Sequence, residues 1–296
     1  MNNKTKALLA VLAIVIFSGG TSPYVKLALT KIPSFTFTFV RFFLSFLIIL
    51  PLFLYRVKPR FKKNDFKLIT LSLLQTGNII LFAFGVRLTM ASVGQIIYSF
   101  TPILVALMSF YSLKEKISFK KILGIMIGFL GVNLIIMMPL FSKAIKISDE
   151  PGALFGNILI FVGCIGYSYY TVLSKKFLKT YSPIWLTIYF ILTTALVSLI
   201  FIPYEFSSLR PLMFYLNTSV LWPVIYVITI GTVMAYLLQQ YAIDRGTPLI
   251  ASLMQYLFPA STLVWSYFIL GERLNIYLAI GLVLILSGAW LVTKES

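Results

Sequence analysis

Apolar runs of membrane-spanning length recur along this chain from end to end, and they leave it few folds. An α-helix needs about 17–25 predominantly apolar residues to cross a bilayer core. In lipid every backbone amide must find its partner within the protein, so a chain of such runs folds as a bundle of helices. The runs lie at about 7–29, 35–55, 67–88, 91–113, 120–139, 153–175, 184–203, 219–243, 248–270 and 275–293. Proline, glycine and charge clusters separate them: "KIPS" at 31, "RVKPRFKKND" at 56, "KEKISFKK" at 114, "KISDEPG" at 146, "TYSP" at 180, "DRGTP" at 244 and "GERLN" at 271. The expectation is an all-α polytopic membrane protein of ten transmembrane helices.

Composition removes the competing classes. The chain is 59% hydrophobic and 11% charged, against roughly 45–50% apolar and about 25% charged for soluble domains. It has no histidine and one cysteine, Cys164, so no intrachain disulfide can form. The usual zinc and haem ligand sets are missing, and no metal or cofactor is expected. Cys164 reads as a small core residue. The net charge of +17 does not point to nucleic acid, because the lysines and arginines sit in short turns between spans. The first 22 residues have the look of a signal peptide, but the apolar pattern runs on to about Leu29, and a retained first helix is expected.

Those charges also orient the bundle. With the N-terminus inside, seventeen Lys and Arg fall on the inner side and seven on the outer, while Arg41 lies within the second span. The positive-inside bias then places both termini in the cytoplasm of a cell whose inner (plasma) membrane holds the chain.

One segment occurs twice. "SFTPILVALMSFYSLKEK" at 99–116 matches "YLFPASTLVWSYFILGER" at 256–273, pairing Pro102 with Pro259, Ser109 with Ser266, Leu113 with Leu270, Glu115 with Glu272 and Lys116 with Arg273. Gly124 with Gly281 and Gly131 with Gly288 keep the same offset of 157 residues. "YVKLALTKIPS" at 24–34 resembles "VLSKKFLKTYSP" at 172–183 more weakly. Five spans is an odd number, so the second copy enters from the opposite side. The halves, 1–145 and 146–296, read as inverted-topology repeats, a construction typical of secondary transporters.

At these residues the sequence resembles the drug/metabolite transporter superfamily, EamA type. The shared features are the mid-helix proline, then leucine, one residue, glutamate and a basic residue, then a glycine-spaced helix, in both halves. "GTVMAYLLQQYAIDRG" at 231–246 looks like the family's eighth helix and "FTFVRFF" at 37–43 like its second. "LKEK" departs from the pattern, with a lysine before the glutamate where a small residue is usual. The resemblance implies a ten-helix carrier with a central cavity lined by helices 1, 3, 4, 6, 8 and 9, and it implies no particular substrate.

Polar residues at helical spacing mark candidate binding faces. Gln95, Tyr98, Ser99, Pro102 and Ser109 share a face of the fourth span. Ser252, Gln255, Tyr256, Pro259, Thr262 and Ser266 share one of the ninth. Gln75 pairs with Asn78, Tyr236 with Gln240, and Tyr167 with Tyr170 and Ser174. Two readings stand: glue between helices, or a pocket for a small polar or zwitterionic solute with an apolar part. Pro102 and Pro259 fall at mid-span, where each frees a carbonyl and offers a place to bend. They are the candidate hinges.

Charged residues carry double readings too. Arg41 either snorkels or clamps neighbouring carbonyls, or attracts a carboxylate, with Lys26 as a second cation. Glu115 and Glu272 stand before helices 5 and 10, as favourable charges at helix N-termini or as gate charges. All eight acids lie in loops or at span ends. With no mid-depth carboxylate or histidine as relay, the expectation is uncoupled exchange, facilitated export, or coupling through a less obvious group.

The leading function is a secondary transporter of a small metabolite, an amino acid or relative, moved by alternating access and outward. Its partners are the solute and the bilayer, and nucleic acid is not one. The alternatives are a nucleotide-sugar or other anionic metabolite exchanger, and a lipid-handling or scaffold protein. A membrane enzyme lacks support, since no metal motif or serine–base pair stands at recognisable spacing.

Overall fold

The apolar runs fold as helices, and the breaks between them fall at the proline, glycine and charge clusters. The structure is a computed structural model, and it describes residues 2–56, 66–113, 118–145, 152–209, 218–273 and 275–294. Among these residues nine helical segments are long and apolar enough to cross a membrane, and the apolar helix Ile276–Lys294 follows as a tenth. We number them span 1 to span 10. Span 1 is Asn3–Leu29, span 2 Ser34–Arg56, span 3 Phe66–Leu88, span 4 Ala91–Ser112 and span 5 Phe119–Leu140. Span 6 is Ala153–Phe177, span 7 Pro183–Ser208, span 8 Leu221–Arg245 and span 9 Pro248–Leu270. Span 10 is the shorter helix Ile276–Lys294, whose 19 residues give about 28 Å at 1.5 Å rise.

The packing follows the repeat. Span 5 lies along span 10, span 2 along span 7, span 4 against span 9, and span 3 on span 6 just as span 8 is on span 1. Exchanging the two halves carries each pair onto itself or onto another observed pair. The glycines show this at the level of single residues. A Cβ on Gly124 would collide with the carbonyl oxygen of Gly288, and one on Gly131 would come 2.8 Å from that of Gly281. Adding 157 to 124 and removing it from 288 gives 281 and 131, so one contact is the image of the other. Small residues let these two backbones approach where lipid offers no hydrophobic drive for helix association.

Among the described residues spans 1, 4, 8 and 9 are interrupted within their length, and span 7 passes from α-helix into a 3-10 turn at Ile202–Ser208. Span 1 breaks into Asn3–Ser18 and Thr21–Leu29 at Gly19–Gly20. Span 4 breaks into Ala91–Tyr98 and Thr101–Leu113 at Ser99–Phe100. Span 9 divides at Leu253 between Pro248–Ser252 and Met254–Leu270. Span 8 carries a six-residue π-helical turn, Thr229–Met234. The sequence reading set Pro102 inside one continuous helix. It is instead the second residue of Thr101–Leu113, where its missing N–H is one of those with no helical partner anyway. Pro259 lies inside Met254–Leu270, six residues past the break at Leu253.

Among the described residues the turns after spans 1, 3 and 9 and the end of span 7 meet at one end of the bundle, called here the far end; the opposite end is called here the termini end. At the far end span 9 closes on Gly271, whose φ of 67° suits the residue without a Cβ. The amide of Glu272 donates back to Ser266 at 3.2 Å. That reversal brings the Glu272 carboxylate to the start of span 4, where it accepts from the amides of Ala91 at 2.7 Å and Ser92 at 2.9 Å. Glu205 does the same for span 2, accepting from Phe35 at 2.9 Å and Thr36 at 2.8 Å. Each carboxylate satisfies N–H groups that have no partner within the helix.

Candidate functional site

The breaks in spans 1, 4, 8 and 9 adjoin a central cavity of about 120 Å³ between the two repeats. Irregular backbone at membrane depth is tolerated where it is buried in protein or lines a cavity, which accounts for their position. Spans 1, 2, 3, 4, 6, 8 and 9 all contribute to the wall. The resemblance implied six of these, and span 2 is the addition, through Phe37, Thr38 and Arg41.

The polar wall is a linked set. Tyr98 of span 4 donates from its hydroxyl to the Oδ1 of Asn78 in span 3. The Tyr167 hydroxyl of span 6 accepts from Gln239 Nε2 at 2.9 Å and from Gln255 Nε2 at 3.3 Å. Tyr98 and Tyr167 lie with ring centroids 5.8 Å apart, and Phe82 meets Tyr98 edge to face at 5.5 Å. The Oε1 atoms of Gln95 and Gln255, both on the wall, have no hydrogen-bond partner among the described residues. An unmet buried acceptor costs about 1–3 kcal/mol, and a bound donor would recover it.

Arg41 is 6% exposed and is the only charged residue of the cavity wall among the described residues. The π-turn of span 8 sets its direction. Thr232 Oγ1 donates to the carbonyl of Val227, five residues back, at 2.7 Å. The same oxygen accepts from Arg41 Nε at 2.7 Å, and the Gly231 carbonyl accepts from Nη2 at 3.3 Å. The guanidinium carbon also stands 5.0 Å from the centre of the Phe42 ring.

Of the residues singled out from sequence, the structure brings Arg41, Asn78, Gln95, Tyr98, Tyr167, Tyr236 and Gln255 onto one wall. It leaves Gln75, Ser99, Tyr170, Gln240, Tyr256, Pro102 and Pro259 off it. Gln240 instead donates to the Tyr170 hydroxyl at 2.8 Å, joining spans 8 and 6. Its neighbour Gln239 takes the cavity position. Tyr236 has one face-mate three residues on and another four residues on, and spacing alone does not choose between them. Ser18, Thr21, Ser22 and Thr38 also reach the wall. Small hydroxyl residues are common in spans, and no sequence signal set these apart.

Of the other candidate charges, Lys26 and Glu272 are not among the lining residues. Lys26 donates to the carbonyl of Thr89 at 2.7 Å and stands 3.7 Å from Glu272, at the far end. Glu272 thus meets the start of span 4, whereas sequence position had pointed to the start of span 10. Glu115 lies outside the described residues.

Comparison with known proteins agrees with this architecture. The model of the EamA-like transporter family matches the chain twice, over residues 5–137 and 154–294. A protein of Archaeoglobus fulgidus named an uncharacterized transporter is 27% identical over 301 residues, covering 100% of this chain and 99% of its own. The uncharacterized transporter YetK of Bacillus subtilis is 30% identical, over 95% of this chain and 84% of its own. A solved crystal structure superposes with a TM-score of 0.69 at 17% identity, over 98% of this chain and 97% of that one, which shows a shared fold. The chain belongs to the EamA-like transporter family, a membrane transporter built as two repeats.

Proposed function

We propose that this EamA-like transporter carries a compact polar metabolite, an amino acid or close relative, through the central cavity by alternating access. The observation that carries the reading is the cavity itself. It lies between the repeats, where inverted-repeat carriers hold their solute, and its wall joins amide and phenol groups to the rings of Phe37, Phe82 and Phe258. Such a wall suits a solute with polar ends and a short apolar part. At about 120 Å³ the cavity is near the size of an apolar cavity of about 150 Å³ that accommodates benzene. That favours a solute of amino-acid size over a nucleotide sugar.

No aspartate, glutamate or histidine stands among the lining residues, so the reading includes solute exchange or downhill flow without a proton relay. The inner membrane as location, with both termini cytoplasmic, follows from the charge asymmetry of the turns. Outward direction is taken from the family resemblance. The test is counterflow in proteoliposomes with the twenty amino acids as a panel. Uptake of at least one solute against a preload of itself, abolished when Gln95→Trp fills the cavity, is the expected result. Equal counterflow in the filled variant would remove the cavity from the path.

A further inference from the structure

A cation buried in a membrane bundle ordinarily meets an acid or spends its donors on backbone. Arg41 does neither fully. A guanidinium has five N–H donors, and Arg41 directs one to Thr232 and one to Gly231. Among the described residues no carboxylate lies within ion-pair distance of it. The two-fold repeat does not by itself demand a cation there. Arg41 and Phe190 both stand seven residues past the first residue of their helices, Ser34 and Pro183. In the second repeat the phenyl ring of Phe190 packs on Tyr236 at 4.7 Å. One half of a two-fold scaffold thus fills this position with a ring and the other with a charge that lines the cavity.

We propose that Arg41 is the carboxylate-binding residue of this carrier, and that it makes the carboxylate a condition for transport. The inference rests on the carrier reading above and deepens it, since that reading names an amino acid or close relative but neither the residue that recognises it nor the group the solute must carry. The guanidinium fork matches a carboxylate with two parallel hydrogen bonds, and the Thr232 contact fixes the fork before the solute arrives. The unmet amide oxygens of Gln95 and Gln255 are acceptors for the solute's ammonium. An amide or ester in place of the carboxylate leaves the cation buried and uncompensated, which is the costly case.

Proteoliposomes loaded with an equimolar mixture of the twenty amino acids, their primary amides and the corresponding amines without the carboxyl group test this. Efflux is read for each compound by mass spectrometry, with wild-type protein, Arg41→Gln and Arg41→Lys. Wild type should release at least one amino acid about tenfold or more faster than its own amide and amine. Arg41→Gln should bring that ratio close to one, and Arg41→Lys, which keeps the charge but loses the fork, should keep part of it. Wild type passing amide or amine as fast as acid overturns the inference and leaves the carrier reading standing. So does an unchanged ratio in Arg41→Gln. No efflux of any compound from folded, inserted wild type overturns both. The wild-type ratio needs no variant, so a folding defect in Arg41→Gln does not protect the claim.

Discussion

Lys26 and Glu272 stand 3.7 Å apart at the far end of the bundle, one from each repeat. Around this pair four elements meet: span 1 through Lys26, the end of span 3 through the Thr89 carbonyl, the start of span 4 through Ala91 and Ser92, and the turn after span 9. Glu272→Ala removes three hydrogen bonds and one ion pair from this junction. Charge-assisted bonds contribute about 1.5–3 kcal/mol each at most. In a Cys164→Ser, Ser22→Cys background, thiol labelling from the far side should then rise severalfold. An unchanged labelling rate would show that the junction does not hold this end closed.

The opposite end has a matching device. Lys175 donates to the carbonyls of Ile243, Asp244 and Gly246 at 2.9, 2.9 and 2.8 Å. Gly246 is 157 residues beyond Thr89, the residue that receives Lys26. Each lysine thus holds the C-terminal carbonyls of its neighbour, span 3 at the far end and span 8 at the termini end, where a cation also meets the negative pole of the helix. Lys175→Met should raise labelling of the same Ser22→Cys thiol from the termini side and leave the far side as it was. Increased labelling from both sides alike would mean loosened packing, not a gate.

The glycine contacts give a stability test. Gly288→Ala places a methyl group against the carbonyl of Gly124 and the backbone of Gly128. Overpacking of this kind costs about 1–3 kcal/mol. Gly77→Ala meets nothing within 4 Å and should leave thermal unfolding in detergent close to wild type. Equal unfolding temperatures for the two variants would contradict close packing of spans 5 and 10.

The bundle and its repeat were legible because they rest on long runs and on a fixed offset. The site was legible in part. Asn78, Tyr98 and Gln255 stood out because amides and phenols are costly in lipid, and all three reach the cavity. Gln239 was missed and Gln240 taken because i+3 and i+4 share a helix face. The breaks at Gly19–Gly20 and Leu253 and the π-turn at Thr229–Met234 were not read, although Gly19 and Gly20 are adjacent in sequence. Glu272 lay beyond local reasoning, since its partners in span 4 are about 180 residues away.

The two glutamines can be separated by experiment. Gln239→Ala removes a donor to the Tyr167 hydroxyl on the cavity wall, and Gln240→Ala removes a donor to Tyr170 behind it. Gln239→Ala should weaken solute binding by about 1–3 kcal/mol, read as loss of solute-induced thermal stabilisation. Gln240→Ala should lower the unfolding temperature without solute and keep the solute-induced shift. The reverse pattern would place the solute on the Tyr170 side.

The most direct test of the account is whether the cavity is the transport path. A single cysteine at Gln95, in a Cys164→Ser background, puts one thiol on the cavity wall. A transported solute should slow its alkylation in proportion to occupancy, and the alkylated protein should lose counterflow. If the alkylated protein still carries solute at the unmodified rate, and solute leaves the labelling rate untouched, the path runs elsewhere and the account fails.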